Sequence, residues 1–263
     1  VPRAVAINVG ANSSLPGFRG PIHPDGSYSY VPIPEREPID PAAADAVPTY
    51  AELDLPIDIP AEHRGTQLHL DPSFAEYPHC SEYTYGDDFG VKAAPLLDLE
   101  MGDLVCFYAT LRTVEHGEGP ETPPCSMPEC VPESAGADDG PTADWRPASW
   151  GAFVIGAFRL DMDPIPGEDF DDLPTATRER LAENAHVRRE TVDAEVFLLG
   201  DPDRSGLLET AIPLSAPTGG TDANEIVTEL SADSGKGPWW RRPLRFDERA
   251  TAELASAVTS EQG

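Results

Sequence analysis

Three short polar groups in this chain carry side chains suited to proton transfer or metal ligation. The first is His69-Leu70-Asp71-Pro72. A proline biases the residue before it towards an extended backbone. His69 and Asp71, two positions apart, then project on the same side of a strand-like piece. Such a pair serves either as a general base with its orienting carboxylate or as two metal ligands. The plainer alternative is a surface histidine with a chance acidic neighbour. The second group is Tyr83-Thr84-Tyr85-Gly86-Asp87, a polar aromatic loop. The third is Asn184-Ala185-His186-Val187-Arg188-Arg189, where either arginine can grip an anion through paired N–H contacts. Its alternative is capping of a helix C-terminus by His and Arg. His69, Asp71, Asp87 and His186 are the candidate catalytic residues. The sequence names no cofactor and leaves the metal open. No GxSxG, HExxH or recognisable Cys–His spacing supplies a nucleophile motif.

A substrate wall is expected from the stretch Gly17 to Glu35, GFRGPIHPDGSYSYVPIPE. Its prolines at 21, 24, 32 and 34 exclude a helix and the middle of a sheet. Pro24-Asp25-Gly26-Ser27 is a turn, and Tyr28 to Ile33 alternates as a short edge strand would. A segment this stiff has little ordering entropy to lose on binding; a well-packed surface loop would read the same way. Candidate substrate contacts are Asp25, Tyr28 and Tyr30 from this stretch, with Asn8 and Asn12 from the exit of the first strand. Tyr85, Tyr108, Asn184 and Arg188 complete the set.

The elements that must position these groups are mostly strands. Ala4 to Val9 is an apolar run ended by Gly10. Leu104 to Leu111 is the strongest strand pattern, and Gly151 to Leu160 is its expected antiparallel neighbour. Gly156 inside that run marks a bulge or a close backbone approach. Further strands are expected at Glu195 to Leu199 and Leu207 to Leu214. Helices are expected at Pro174 to Asn184, Asp222 to Leu230 and about 247–259. Trp239-Trp240-Arg241-Arg242 is an aromatic-basic patch that stacks a base and holds a phosphate, or packs on its own domain. The expected class is α+β: one domain over residues 1–263, with a central mainly antiparallel or mixed β-sheet or partly closed barrel, a few peripheral helices and long loops.

Residues 115–149 read as an acidic, Pro/Gly-rich insertion, a possible docking surface for a protein partner. The chain carries 47 Asp plus Glu against 18 Lys plus Arg, a net charge of -29, and only two lysines, Lys92 and Lys236. Self-repulsion of that size destabilises a compact state in dilute buffer. Molar salt shortens the Debye length to about 3 Å and screens it. A cytoplasmic protein of a salt-accumulating organism is the expectation. The charge argues against DNA bound through a broad basic face, because phosphate neutralisation needs clustered cations, and leaves a small basic pocket open. No run approaches the about 20 apolar residues of a membrane span, and no secretory signal is expected. Val1, where Met is usual, reads as a literally translated GTG start. Of the four cysteines, Cys106 is expected reduced in the core, and Cys125 and Cys130 as free thiols or, less favoured, a loop disulfide.

Together the first strand with Asn8, Gly10 and Asn12, PIHPDGSYSYVPIPE from Pro21, Tyr50, HLDP from His69, YTYGD from Tyr83, GDLVCFYATL from Gly102, FVIGAF from Phe153, NAH from Asn184, and LLG followed by Ser205 resemble the family called nucleotide modification associated domain 3. The resemblance implies action on, or recognition of, modified nucleobases or nucleotides in a DNA or nucleotide modification system. A PUA-like reader of modified bases, or an interaction subunit of a defence or modification operon, is the alternative it leaves. Oligomeric state is not implied.

Overall fold

The computed structural model describes residues 3–55, 57–114, 145–233 and 237–261. The chain opens with β1 (Ala4–Asn8), followed by the two-residue strands β2 (Pro21–Ile22) and β3 (Ile33–Pro34) in the proline-rich stretch. The next two polar groups lie on β4 (Leu68–His69) and β5 (Thr84–Asp87). Helix α1 (Gly90–Leu97) leads into the long strands β6 (Leu104–Thr113) and β7 (Trp150–Arg159). Then come β8 (Ile165–Pro166), α2 (Thr175–Leu181), β9 (Val196–Leu199), β10 (Gly206–Pro213), β11 (Leu244–Phe246) and α3 (Glu248–Glu261).

The main sheet runs β10-β7-β6-β1-β11, with β2 also paired to β6. β1 and β6 are parallel, Val5 opposite Val105, and the other neighbours on this path are antiparallel. β6 lies in its middle and is buried on both faces, which is why it reads as an unbroken apolar run. Strand alternation divides two cores. Val5, Ile7, Val105, Phe107, Ile155 and Phe158 face one side. Ala4, Ala6, Leu104, Cys106, Tyr108, Val154 and Ala157 face the other, beneath Ala250, Leu254 and Val258 of α3. The pairing of β6 with β7 slips between Phe107 and Tyr108, opposite Gly156 and Val154. A side chain at Gly156 would lie 2.6 Å from the Phe74 ring, so the expected bulge and close approach coincide.

The first face carries the layer that holds the polar groups. There β3 pairs antiparallel with β4, Ile33 opposite His69. The sheet β5-β9-β8 lies alongside, Gly86 opposite Phe197. Phe74, between β4 and β5, packs edge-on against Phe107 and Phe158, and Tyr85 packs against Phe107. These aromatic contacts pin both strands to the central sheet.

The chain is therefore α+β with a mixed sheet. That sheet stays open between β10 and β11 among the described residues, so it does not close into a full barrel. The expected strand from Tyr28 to Ile33 shrinks to Ile33–Pro34, because the Tyr28 and Tyr30 side chains turn into the interior instead of alternating. The helix expected to Asn184 stops at Leu181, leaving Asn184 and His186 in a buried turn. Asp222 to Leu230 forms only a wide turn at Ile226–Leu230. Helix α1 was not expected, its pattern being interrupted by Pro95. The insertion lies outside the described residues except for its last positions, and Cys125 and Cys130 lie outside them too. Cys80 and Cys106 are free thiols. No helix among the described residues is long and apolar enough to cross a membrane.

Candidate functional site

His69, Asp71 and His186 meet at the floor of a cleft. Their rings and carboxylate come from β4, the turn after it, and the turn after α2. The two imidazoles stand edge to face with centroids 5.0 Å apart. Asp71 Oδ2 lies 3.4 Å from His186 Nε2 and 3.9 Å from His69 Nε2. All three residues are buried. Asp71 is held from behind: the Gly86 N–H donates to both its oxygens at 3.1 and 2.9 Å, and Asn184 Nδ2 donates to Oδ1 at 3.2 Å. Asn184 is fully buried, bonds Thr84 Oγ1 as well, and accepts the His186 N–H at 3.0 Å. One amide thus fixes both a carboxylate and a histidine from chain segments 113 positions apart. Gly86 must be small here, because an added Cβ would lie 2.8 Å from the His186 ring.

A second ring of charges grips the outer nitrogens. His69 Nδ1 is 2.7 Å from Glu35 Oε2, and His186 Nδ1 is 2.8 Å from Asp193 Oδ1. A carboxylate only accepts, so each contact requires the proton on Nδ1; in the neutral ring the Nε2 lone pair then faces Asp71. Arg189 ties the two carboxylates together, at 3.0 Å to Glu35 and 2.6 Å to Asp193. Burial is the largest influence on Glu35 and would raise its pKa. The hydrogen bond and charge of His69, the Glu37 N–H and Arg189 together hold it down at about 2. Burial pushes the Asp71 carboxyl well above its usual range, with Asp87 adding to this, against the Gly86 and Asn184 bonds and Arg189. Burial favours neutral His186, and the charges of His69 and Arg189 act the same way, opposed by Asp193. A buried group of ionisable residues in a cleft, Glu35, Asp71 and His186 among them with displaced pKa values, makes this the candidate site of chemistry.

The cleft has a volume of about 380 Å³ and is lined by Asn8, Asn12, Glu35, Tyr85, Asp87 and Lys92, besides the three floor residues. Tyr85 donates to Asp87 Oδ2, whose other oxygen accepts the Phe89 N–H, and Lys92 sits 3.4 Å away. Asn8 and Asn12 also line an adjoining cavity of about 260 Å³ with Ser13, Arg19, Trp240 and Arg241. Arg19 lies over the Trp150 ring at 4.6 Å and donates to Thr110 and Ser13. Asn8 Nδ2 is buried with no hydrogen-bond partner.

Seven of the residues singled out from sequence line the cleft: Asn8, Asn12, His69, Asp71, Tyr85, Asp87 and His186. Asn184 stands directly behind it. The other five lie elsewhere. Asp25 is exposed and accepts from Ser27 within its own turn. Tyr28 fastens that turn to the sheet by donating to the Ile155 and Leu208 carbonyls. Tyr30 is core, packed edge-on against Phe74 and Tyr77. Tyr108 falls on the opposite face of the sheet and donates to the Arg242 carbonyl. Arg188 reaches towards the Ala46 carbonyl, and its neighbour Arg189 takes the cleft. Sequence reasoning missed Glu35, Asp193 and Lys92. In a chain with 47 acidic residues nothing local distinguishes two carboxylates from the rest.

Fold and site together define an α+β protein with a buried His–carboxylate–His group at the floor of a polar cleft. The profile of the family described as nucleotide modification associated domain 3 matches residues 3–256, and the chain belongs to that family. Neither the curated proteins nor the solved structures yield a match. A role in nucleotide modification systems follows from the family.

Proposed function

We propose that the protein is an enzyme that takes a nucleotide, with the base over His69, Asp71 and His186 and the phosphate towards Arg19 and Arg241. The supporting observation is that Asn8 and Asn12 line both the cleft with its ionisable floor and the adjoining basic-aromatic cavity. Amides read base edges by donating and accepting, and the buried, unpartnered Asn8 Nδ2 is a donor in need of an acceptor. Arg241 is exposed and has no ion pair among the described residues, whereas Arg19 is stacked and pre-oriented. The cleft is within the size range of small-molecule sites. A net charge of -29 disfavours a duplex lying across the surface and favours a substrate small enough to enter.

The test is calorimetric titration of deoxynucleoside 5′-monophosphates and their parent nucleosides, with chelator present, in molar KCl where only direct contacts survive screening. The monophosphates are expected to bind about tenfold tighter, roughly 1.4 kcal/mol, and Arg241→Ala to close that gap. Equal binding, or none, would overturn the proposal. Mass spectrometry of nucleotide recovered from a separate incubation, without chelator and with a divalent metal added, distinguishes an enzyme, which changes its mass, from a reader, which returns it intact.

A further inference from the structure

We infer that His69 Nε2, His186 Nε2 and Asp71 Oδ2 form the coordination site of a divalent first-row transition ion. This deepens the reading above by supplying the centre on which the bound base would react, but it rests on the geometry of the floor alone.

One ligand atom from each of His69, Asp71 and His186 lies within 4.8 Å of the other two, and Asp71 Oδ2 stands 3.9 and 3.4 Å from the Nε2 atoms of His69 and His186. With both Nδ1 atoms protonated towards Glu35 and Asp193, three electron-pair donors point into one space. Such an array offers a cation three ligand atoms. The Nδ1–carboxylate contacts are the outer partners that metal-bound histidines use to fix ring orientation and raise ligand basicity. Asp71 is oriented in the same manner by Gly86 and Asn184. Charge points the same way. With Asp71 ionised, as a metal ligand must be, Asp71, Glu35, Asp193 and the exposed Asp88 outweigh the single positive charge of Arg189, an excess of negative charge that a bound cation offsets. The Arg189 nitrogens also come within 3.0 and 3.4 Å of the two Nδ1 atoms in hydrogen-bond geometry, but each makes its shorter contact to a carboxylate, Asp193 at 2.6 Å and Glu35 at 3.0 Å.

Two imidazoles and one carboxylate suit zinc or ferrous iron, with the remaining positions open to the cleft. Magnesium and calcium prefer all-oxygen sets. A second grouping, Asp88, His186 and Asp193, is a poorer site. Its two carboxylates are exposed, and Arg189 already stands 3.5 Å from Asp88 and 2.6 Å from Asp193.

The experiment uses the full chain in molar KCl, stripped with chelator and dialysed, without nucleotide. Cobalt(II) is titrated by visible absorption, zinc by calorimetry, and bound metal is counted by mass spectrometry. One equivalent is expected, with d–d bands of a low-symmetry nitrogen-ligated ion. Affinity should fall at least about 100-fold in His69→Ala and His186→Ala, and about 10- to 100-fold in Glu35→Gln, which removes only the charge of an outer partner. Far-ultraviolet dichroism checks folding, and the wild-type cobalt spectrum stands even where a variant unfolds. Binding that is weak, of several equivalents and unchanged in the variants would assign the metal to surface carboxylates and overturn the inference. A spectrum of all-oxygen coordination would do the same. Because nucleotide binding is titrated in chelator and metal binding without nucleotide, either proposal fails separately from the other.

Discussion

Replacing Gly86 by alanine separates the site from the fold. The added Cβ would stand 2.8 Å from His186 Cδ2 and 3.1 Å from Asn184 Oδ1. Ordinary contact begins near 3.4 Å, so the His186 ring must retreat by about 0.6 Å. Gly86 sits in a regular strand outside the left-handed region, so alanine suffers no backbone strain there. Overpacking costs about 1–3 kcal/mol, offset by about 0.4–1 kcal/mol from reduced freedom of the unfolded chain. The net stability loss is then on the order of 0–2.5 kcal/mol. Metal–ligand distances tolerate only about 0.2 Å, so the same retreat should weaken metal binding about 10- to 100-fold. Urea unfolding gives the first quantity and cobalt titration the second. Gly65→Ala, with no atom within 4 Å of the new methyl, is the control and should gain about 0.4–1 kcal/mol of stability while leaving metal affinity unchanged. A Gly86→Ala protein that keeps full metal affinity would refute the placement of His186 against this strand.

Three further substitutions test the local assignments. Arg189→Ala leaves Glu35 and Asp193 without their shared cation and should cost about 3–5 kcal/mol in denaturant melts, as breaking a buried pair does; Arg188→Ala should stay within about 0.5 kcal/mol. Similar losses in both would contradict the division of labour between these neighbours. Tyr28→Phe removes a hydroxyl shared by the Ile155 and Leu208 carbonyls and should lower stability by about 1 kcal/mol without altering nucleotide or metal affinity. A loss of affinity would return Tyr28 to the site.

Legibility in the sequence followed the physics of each element. The long strands were readable because a strand buried on both faces has no polar positions, as in β6 and β7. Gly156 was readable because a lone glycine inside an apolar run has few other reasons to be there. His69 and His186 stood out by residue type in a chain with six histidines. Helix α1 was hidden by Pro95, and the proline-rich stretch misled because period-2 alternation does not say whether a tyrosine faces solvent or core. Tyr108 was misplaced for a related reason. It shares an apolar run with Phe107, but strand alternation sends the two to opposite faces. Glu35 and Asp193 were invisible because their role depends on contacts across 34 and 7 positions among many equivalent acids.

Long-range proton–nitrogen correlation spectroscopy of the imidazoles tests the central claim most directly. With chelator present and the protein folded in molar KCl, His69 and His186 should both appear as Nδ1–H tautomers with unprotonated Nε2. Zinc should then shift the two Nε2 resonances together and leave the other four histidines unmoved. A proton found on either Nε2 of the chelated protein, or zinc acting on one ring alone, would contradict the account.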